Sequence, residues 1–447
     1  MIAAALLLAA LAIRVVQVQT TSYAAPFDAG SYLSLASQVA HHGDFRDRRA
    51  PGSAAGGTRG PSAYFPPAFP YLLAAIDLIS GHTTPKGPAL RPARISQAVL
   101  GTVIVGLIGL VAYEAFGGSS TIALTAMALA AFYPVLIELS AILVAENLLT
   151  ALMLAAIWTA LRARRAVEHR YAWVGAAGVF TGLAALAHEN GILLVIPLAV
   201  AVWKTKRLAP AVLVAATVLT ILPWTIRNAL QLHAFVPISD ETGITLVGTY
   251  NPASAADPQV AYKWRFFGNI PGEHARLGRT GRFTEPQLSD KLQSQALRYI
   301  GHHPLAPIEA AFHNTLRMFE LEGTFAWHAS ASAQGLSTEN AGVGVASLWV
   351  VVALAIAGAF TRAARRAPRW MWAIPLLLAL SIVLVNVETP RFREPIEPFL
   401  IMLAACALCA AGAALRRRLR RAPVGRQDRA AQPRRARELV EMVKRLA

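Results

Sequence analysis

The chain has 447 residues, 55% hydrophobic and 15% charged, with a net charge of +17 and a mean hydropathy of +0.45. A water-soluble domain carries about 25% charged residues, so this composition excludes an ordinary soluble enzyme and points to a chain solvated largely by lipid. The two cysteines, Cys406 and Cys409, are three apart in an apolar stretch, where packing is expected rather than a disulfide or a metal site.

Apolar runs of about 20 residues recur, as bilayer spans require. In chain order they cover 2–18, 65–80, 95–115, 120–139, 141–161, 171–187, 192–203, 208–224, 343–360, 370–387 and 396–415. The fold class expected is therefore all-α, a polytopic transmembrane protein of about 10–11 spans. The first run lacks a basic flank and a small-residue cleavage pattern, so it reads as a retained span. A polar first loop, about 19–64, separates it from the second run. It holds Asp28 ahead of an amphipathic stretch (Tyr32, Leu33, Leu35, Ala36, Val39) that reads as a helix lying on the membrane. Pro66-Pro67 then fixes the angle of the next helix. Residues 231–340 form the largest polar region, with helical character at 286–300 and at 307–321, the second along the interface. The domains expected are 1–230, 231–340, 341–415 and a tail at 416–447.

From Arg416 onward there are twelve Lys or Arg against three Asp or Glu. The positive-inside rule places this tail in the cytoplasm, with Arg162–Arg165, Lys204–Arg207 and Arg362–Arg369. The tail suits anionic lipid better than nucleic acid, and 438–446 has helical spacing. The first loop, the 231–340 region, Arg227, Arg391 and Arg393 then lie outside. One conflict is left open. Four full spans between the first loop and Arg162 would put both on one side, unless a run there is not a span or 171–203 crosses only once.

Several residues could carry chemistry. Asp28 at the membrane surface suits a general base, and an N-cap is its other reading. Asp44, Glu146 and Glu189 are second carboxylates. A turn residue is the alternative for Asp44, a hydrogen bond between helices for Glu146, and a loop between spans for Glu189. Arg227, Arg391 and Arg393 stand beside proline and aromatic residues at span ends, where guanidinium forks suit a lipid-linked phosphate. Lipid snorkelling is the alternative for each. The pairs His41-His42 and His302-His303 do not converge on a metal. No phosphate-cradling glycine loop, nucleotide fingerprint or GxSxG elbow is present.

Taken in order, the motifs resemble one family. They are Asp28-Ala-Gly-Ser-Tyr32, Gly43-Asp44-Phe45, the proline-rich 61–70 segment, Tyr133-Pro134, Ala145-Glu146-Asn147-Leu148, the 182–189 segment ending His188-Glu189, Pro223-Trp-Thr-Ile-Arg227-Asn228 and Pro390-Arg-Phe-Arg393. The chain resembles polytopic GT-C glycosyltransferases, the group holding protein O-mannosyltransferases and aminoarabinose transferases. The resemblance implies a polyprenyl-phosphate-linked sugar donor and a protein, lipid or glycan acceptor. It implies transfer at the outer face of the cytoplasmic membrane, with inversion, Asp28 as general base, and Arg227, Arg391 and Arg393 on the lipid phosphate. No organic cofactor is implied. A divalent metal held by Asp28, Asp44 or the donor phosphate is compatible with the set, and nucleic acid is not a partner. Ala29, Phe65 and His188 depart from the family's acid, Lys and Arg at those places. A transporter or lipid-linked-sugar flippase is the alternative, but its unusual residues belong at mid-membrane, and here they cluster at span ends.

Overall fold

A computed structural model of the chain describes residues 1–46, 60–81, 90–203, 205–270, 283–421 and 441–442. Among them every regular element is helical. The expected helix at 438–446 falls almost wholly outside the described residues.

The chain shuttles between two ends of one bundle. Helices α1 (Ile2–Thr20) and α4 (Leu90–Ala115) run antiparallel, with Leu7 over Gly106, Arg14 against Gly101, and Arg94 donating to the Thr21 carbonyl at 2.9 Å. Between them α2 (Phe27–His42) and α3 (Ala68–Ser80) lie side by side. The Tyr32 ring is 4.8 Å from that of Phe65 and 5.0 Å from that of Phe69, and His41 meets Asp77 at 3.1 Å. Helix α3 therefore accompanies α2 and does not cross. At 13 residues it is about 20 Å long, short of the hydrocarbon thickness. This corrects the span expected at 65–80, and it removes the parity conflict.

Only α4, the broken pair α5 (Ser120–Phe132) and α6 (Pro134–Leu139), and α7 (Glu146–Arg165) then separate the first loop from Arg162. Helix α7 runs parallel to α4, with Asn147 bonded to Gln97 at one end and Glu114 paired with Arg162 and Arg165 at the other. Helix α8 (Arg170–Ala187) returns from that basic end and packs along α10 (Ala209–Leu232). A Cβ on Gly178 would stand 2.4 Å from the Leu213 carbonyl oxygen, so this crossing needs glycine. A 3-10 turn (Glu189–Leu194) and α9 (Val195–Val202) run back, and the Ala201 carbonyl accepts from Arg164 at 2.6 Å. After the polar region come α11 (Thr242–Thr249), α12 (Pro252–Ala255), α13 (Glu285–His302), α14 (Ala306–Met318) and α15 (Thr324–Ala333). The bundle closes with α16 (Ala341–Ala359), the short α17 (Arg362–Arg366), α18 (Arg369–Val383) and α19 (Glu397–Arg421). Ten of the eleven expected runs thus pass between the ends. Among the described residues five helices are long and apolar enough to cross a membrane alone: Ile2–Thr20, Leu90–Ala115, Ala209–Leu232, Ala341–Ala359 and Glu397–Leu419.

The break between α5 and α6 has a chemical cause and a repair. Pro134 has no N–H, so the carbonyl of Ala130 loses its helical donor. Arg14, wholly buried in α1, supplies the replacement: its guanidinium donates to the carbonyls of Ala130 (3.2 Å), Ala131 (3.3 Å) and Ala10 (3.3 Å) and to the Ser140 hydroxyl (3.1 Å). A cation inside an apolar helix is tolerated because it faces the bundle and meets freed backbone oxygens.

The polar region fastens the strip after α18. Thr249 donates to the carbonyl of Val385 and Asn314 to that of Val383, at 2.6 and 2.9 Å. Tyr250 donates to the Leu384 carbonyl. Lys263 reaches both Glu388 oxygens at 2.8 Å, and Gln334 donates to the Thr389 carbonyl at 2.6 Å. Segment 383–389 is thereby held from several sides just before Pro390 and Arg391.

Candidate active site

Asp28 stands in the first turn of α2. The residue that caps this helix is Pro26, and no side chain caps it, so the N-cap reading of Asp28 does not hold. Its carboxylate turns instead to Arg391, 2.9 Å away. The Nε of the same guanidinium lies 2.9 Å from Glu146. That second contact is one of charge, since neither Arg391 Nε nor the Glu146 oxygens make an aligned hydrogen bond. Glu146 is expected near one end of a span, and there it lies. It is the first residue of α7, because 140–145 are not helical, and this puts its carboxylate at the bundle end. One guanidinium thus joins two carboxylates brought from α2 and α7. Asp28 keeps 30% of its side-chain surface, Arg391 14% and Glu146 2%, so the cluster opens to the protein surface on the Asp28 side.

A second acidic pair lies behind. Glu189 is hydrogen bonded to Glu241 and approached by the Ser239 hydroxyl at 3.4 Å and His188 at 3.6 Å. The carboxyl of Glu241 is pushed well up, first by burial and then by the charge of Glu189, with Asp28 adding to the rise and Arg391 opposing it. The rise favours Glu241 as the partner that holds the shared proton. The His188 ring stands edge-on to Phe392, the neighbour of Arg391, at 5.9 Å. Tyr32, buried on the next turn from Asp28, has its hydroxyl proton held tightly by burial and by the Asp28 charge. Sequence reasoning missed Glu241 and Tyr32. The adjacent acids Asp240-Glu241 just ahead of α11 were the available signal for the first, and Tyr32 reads as an ordinary apolar-face residue.

The remaining expected residues lie elsewhere. Asp44 pairs with Arg46 at 3.2 Å beyond the far end of α2, roughly 24 Å along the helix from Asp28. Arg393 is almost wholly buried. It donates to Glu397 (2.6 Å), Glu320 (3.0 Å) and the Met318 carbonyl (2.6 Å), which corrects its expected place on a lipid phosphate. Arg227 clamps the first loop, donating to the carbonyls of Ser62 (2.7 Å) and Phe45 (2.9 Å) while facing the Trp224 ring at 4.7 Å. A third bond goes to the Asn228 side chain at 3.0 Å, so the structure gives Arg227 a place in holding the first loop. No group of three or more metal-ligating side chains forms among the described residues.

Glu285 completes that clamp, accepting from the Ser62 hydroxyl at 2.7 Å and the Ala63 N–H at 2.6 Å. Burial raises its carboxyl to about 7, against the pull of those two bonds. A carboxyl raised on folding takes up a proton between its unfolded value and about 7. Its contribution is therefore fully present below about pH 4.5 and is lost as pH climbs through 7, with a slope of at most about 1.4 kcal/mol per pH unit. Asp240, raised to about 6 chiefly by burial, adds to the same window. The melting temperature should fall between pH 5 and 7.5. The fall should be shallower in Glu285→Gln, whose amide oxygen still accepts from the Ala63 N–H while its NH2 donates to the Ser62 hydroxyl oxygen, and an unchanged slope in that variant would refute the assignment.

The comparisons bear on this arrangement. Residues 65–227 match the family model described as dolichyl-phosphate-mannose-protein mannosyltransferase. That segment contains Glu146, Glu189 and Arg227 but neither Asp28 nor Arg391. No curated protein matches the sequence. Among solved structures the chain is similar to the archaeal oligosaccharyltransferase AglB from Archaeoglobus fulgidus in complex with an inhibitory peptide and a dolichol-phosphate. The TM-score is 0.53 and the identity 14%, over 95% of this chain and 52% of that one. The Archaeoglobus fulgidus oligosaccharyltransferase in complex with zinc and sulfate matches with TM-score 0.53 at 15% identity, over 93% and 49%. The same enzyme tethered to an acceptor peptide matches with TM-score 0.53 at 14%, over 92% and 50%. The chain spans about half the length of these proteins. The likeness establishes the GT-C fold across nearly the whole chain.

Proposed function

We propose that the protein transfers a sugar from a polyprenyl-phosphate-linked donor to an acceptor hydroxyl at the outer face of the cytoplasmic membrane. The observation that carries this reading is the cluster of Asp28, Arg391 and Glu146, open on the Asp28 side, at the end of the bundle opposite the arginines. The positive-inside rule makes the arginine end, with the tail, cytoplasmic and the cluster end external.

The donor phosphate meets Arg391, whose charge stabilises the leaving polyprenyl phosphate as it develops. Glu146, sealed beneath, holds the guanidinium in place while its outer edge exchanges Asp28 for phosphate. Asp28, so released, takes the proton of the acceptor hydroxyl as that oxygen attacks the sugar C1. The C1–O bond to phosphate breaks on the opposite face, so the configuration inverts. Glu189 and Glu241 form a hydrogen-bonded floor behind the donor.

The test is transfer from a panel of radiolabelled polyprenyl-phosphate sugars by purified protein in lipid, with membrane extract as acceptor. Label should move from at least one donor. Translocation of a labelled lipid with no transfer from any donor would favour the flippase alternative.

A further inference from the structure

A separate cavity opens at the other end of the bundle. It has a volume of about 770 Å³ and is walled by residues from α4, α7, α8 and α17 and the turns between them. Five arginines line it, Arg164, Arg165, Arg170, Arg362 and Arg366, against one carboxylate, Glu114. They come from two stretches far apart in sequence, 164–170 and 362–366, and all but Arg170 read there as positive-inside markers.

Their bonding separates them into two groups. Arg165 pairs with Glu114 at 2.6 Å, Arg164 donates to the Ala201 carbonyl, and Arg170 donates to the carbonyls of Ala166 and Thr205. These three are tied into the fold. Arg362 and Arg366, one turn apart on α17, have no hydrogen-bond or ionic partner among the described residues. Folding has brought five guanidinium groups around one hollow and neutralised one of them with a carboxylate. Such a concentration of like charge repels itself unless an anion joins it. The lining residues sit where apolar helices end, and Tyr113, Phe360 and Trp203, each within two residues of one of them in sequence, are exposed, the setting of a membrane interface.

We infer that this cavity binds the phosphate of an anionic phospholipid headgroup, with Arg362 and Arg366 as the free cations that hold it. The volume lies in the range of small-molecule sites, and guanidinium forks match phosphate oxygens in pairs. The site stands apart from the cluster around Asp28 and does not depend on the reaction proposed for it. Lipid bound there would join α17 to the ends of α4, α7 and α8.

The experiment is binding of phosphatidylglycerol, phosphatidylcholine and soluble glycerol 3-phosphate to the full chain, read by native mass spectrometry and thermal melting. It compares wild type with the double variant Arg362→Gln/Arg366→Gln. Neither residue has a partner among the described residues, so the variant should melt normally without lipid. Wild type should hold phosphatidylglycerol over phosphatidylcholine, and the double variant should bind it about thirty-fold more weakly, at roughly five-fold per charge. Equal binding of phosphatidylglycerol to both proteins would overturn the site. Saturable binding of glycerol 3-phosphate in place of the lipid, lost in the variant, would overturn the lipid assignment in favour of a soluble phosphate.

Discussion

Asp28→Asn should abolish most sugar transfer and leave the protein folded. The amide keeps the shape of the carboxylate but cannot accept the acceptor's proton. General-base catalysis contributes about 10²–10⁴-fold, and kcat should fall by that factor. The structural cost should be small. Asp28 does not cap α2 and keeps 30% of its side-chain surface, so the neutral amide stays solvated. Arg391 keeps Glu146, so no buried cation is left alone. Donor binding should persist or tighten, because the outer edge of Arg391 no longer has a competing carboxylate. Rates and donor affinity are measured together with a melting curve on the same preparations. Asp44→Asn is the control, since that residue pairs with Arg46 at the far end of the helix and should change the rate by less than about two-fold. Full activity in folded Asp28→Asn would remove it from the mechanism.

The contrast between these two acids shows what the sequence could and could not carry. Both were legible as carboxylates in a polar loop after the first span, and the local signals, an amphipathic stretch after Asp28 and a glycine before Asp44, did not show which one meets a cation. The difference is set by α2, a 16-residue helix that carries Asp28 to Arg391 and Asp44 away from it. The spans were largely legible because lipid demands long apolar runs. The exception, 65–80, is apolar for another reason: its Phe65, Phe69 and Leu73 are buried in a core formed with Tyr32 and Leu35 of α2. The arginines at 391 and 393 are two residues apart and look equivalent by composition. A short 3-10 turn sends one to the open cluster and the other into the interior. Glu241 was hidden because its partner Glu189 is far off in sequence, and only the packing of the polar region onto the bundle joins them.

Arg393→Met should therefore be among the most destabilising single changes in the chain, while Arg391→Lys should act on transfer. Arg393 meets Glu320 and Glu397 in a site closed to water, and the Tyr133 hydroxyl donates to the second oxygen of Glu397 at 3.2 Å. Removing one partner of such a buried set costs about 3–5 kcal/mol, because the carboxylates are left without a counter-charge. The melting temperature in detergent should drop by many degrees. The triple variant Arg393→Met/Glu320→Gln/Glu397→Gln should recover part of the loss, which a residue binding an external phosphate would have no reason to do. Arg391→Lys keeps a cation between Asp28 and Glu146 but loses the planar fork. Its melting curve should stay close to wild type while donor affinity and kcat fall. A normal melting curve for Arg393→Met with weakened donor binding would reverse the assignment and return Arg393 to the lipid phosphate.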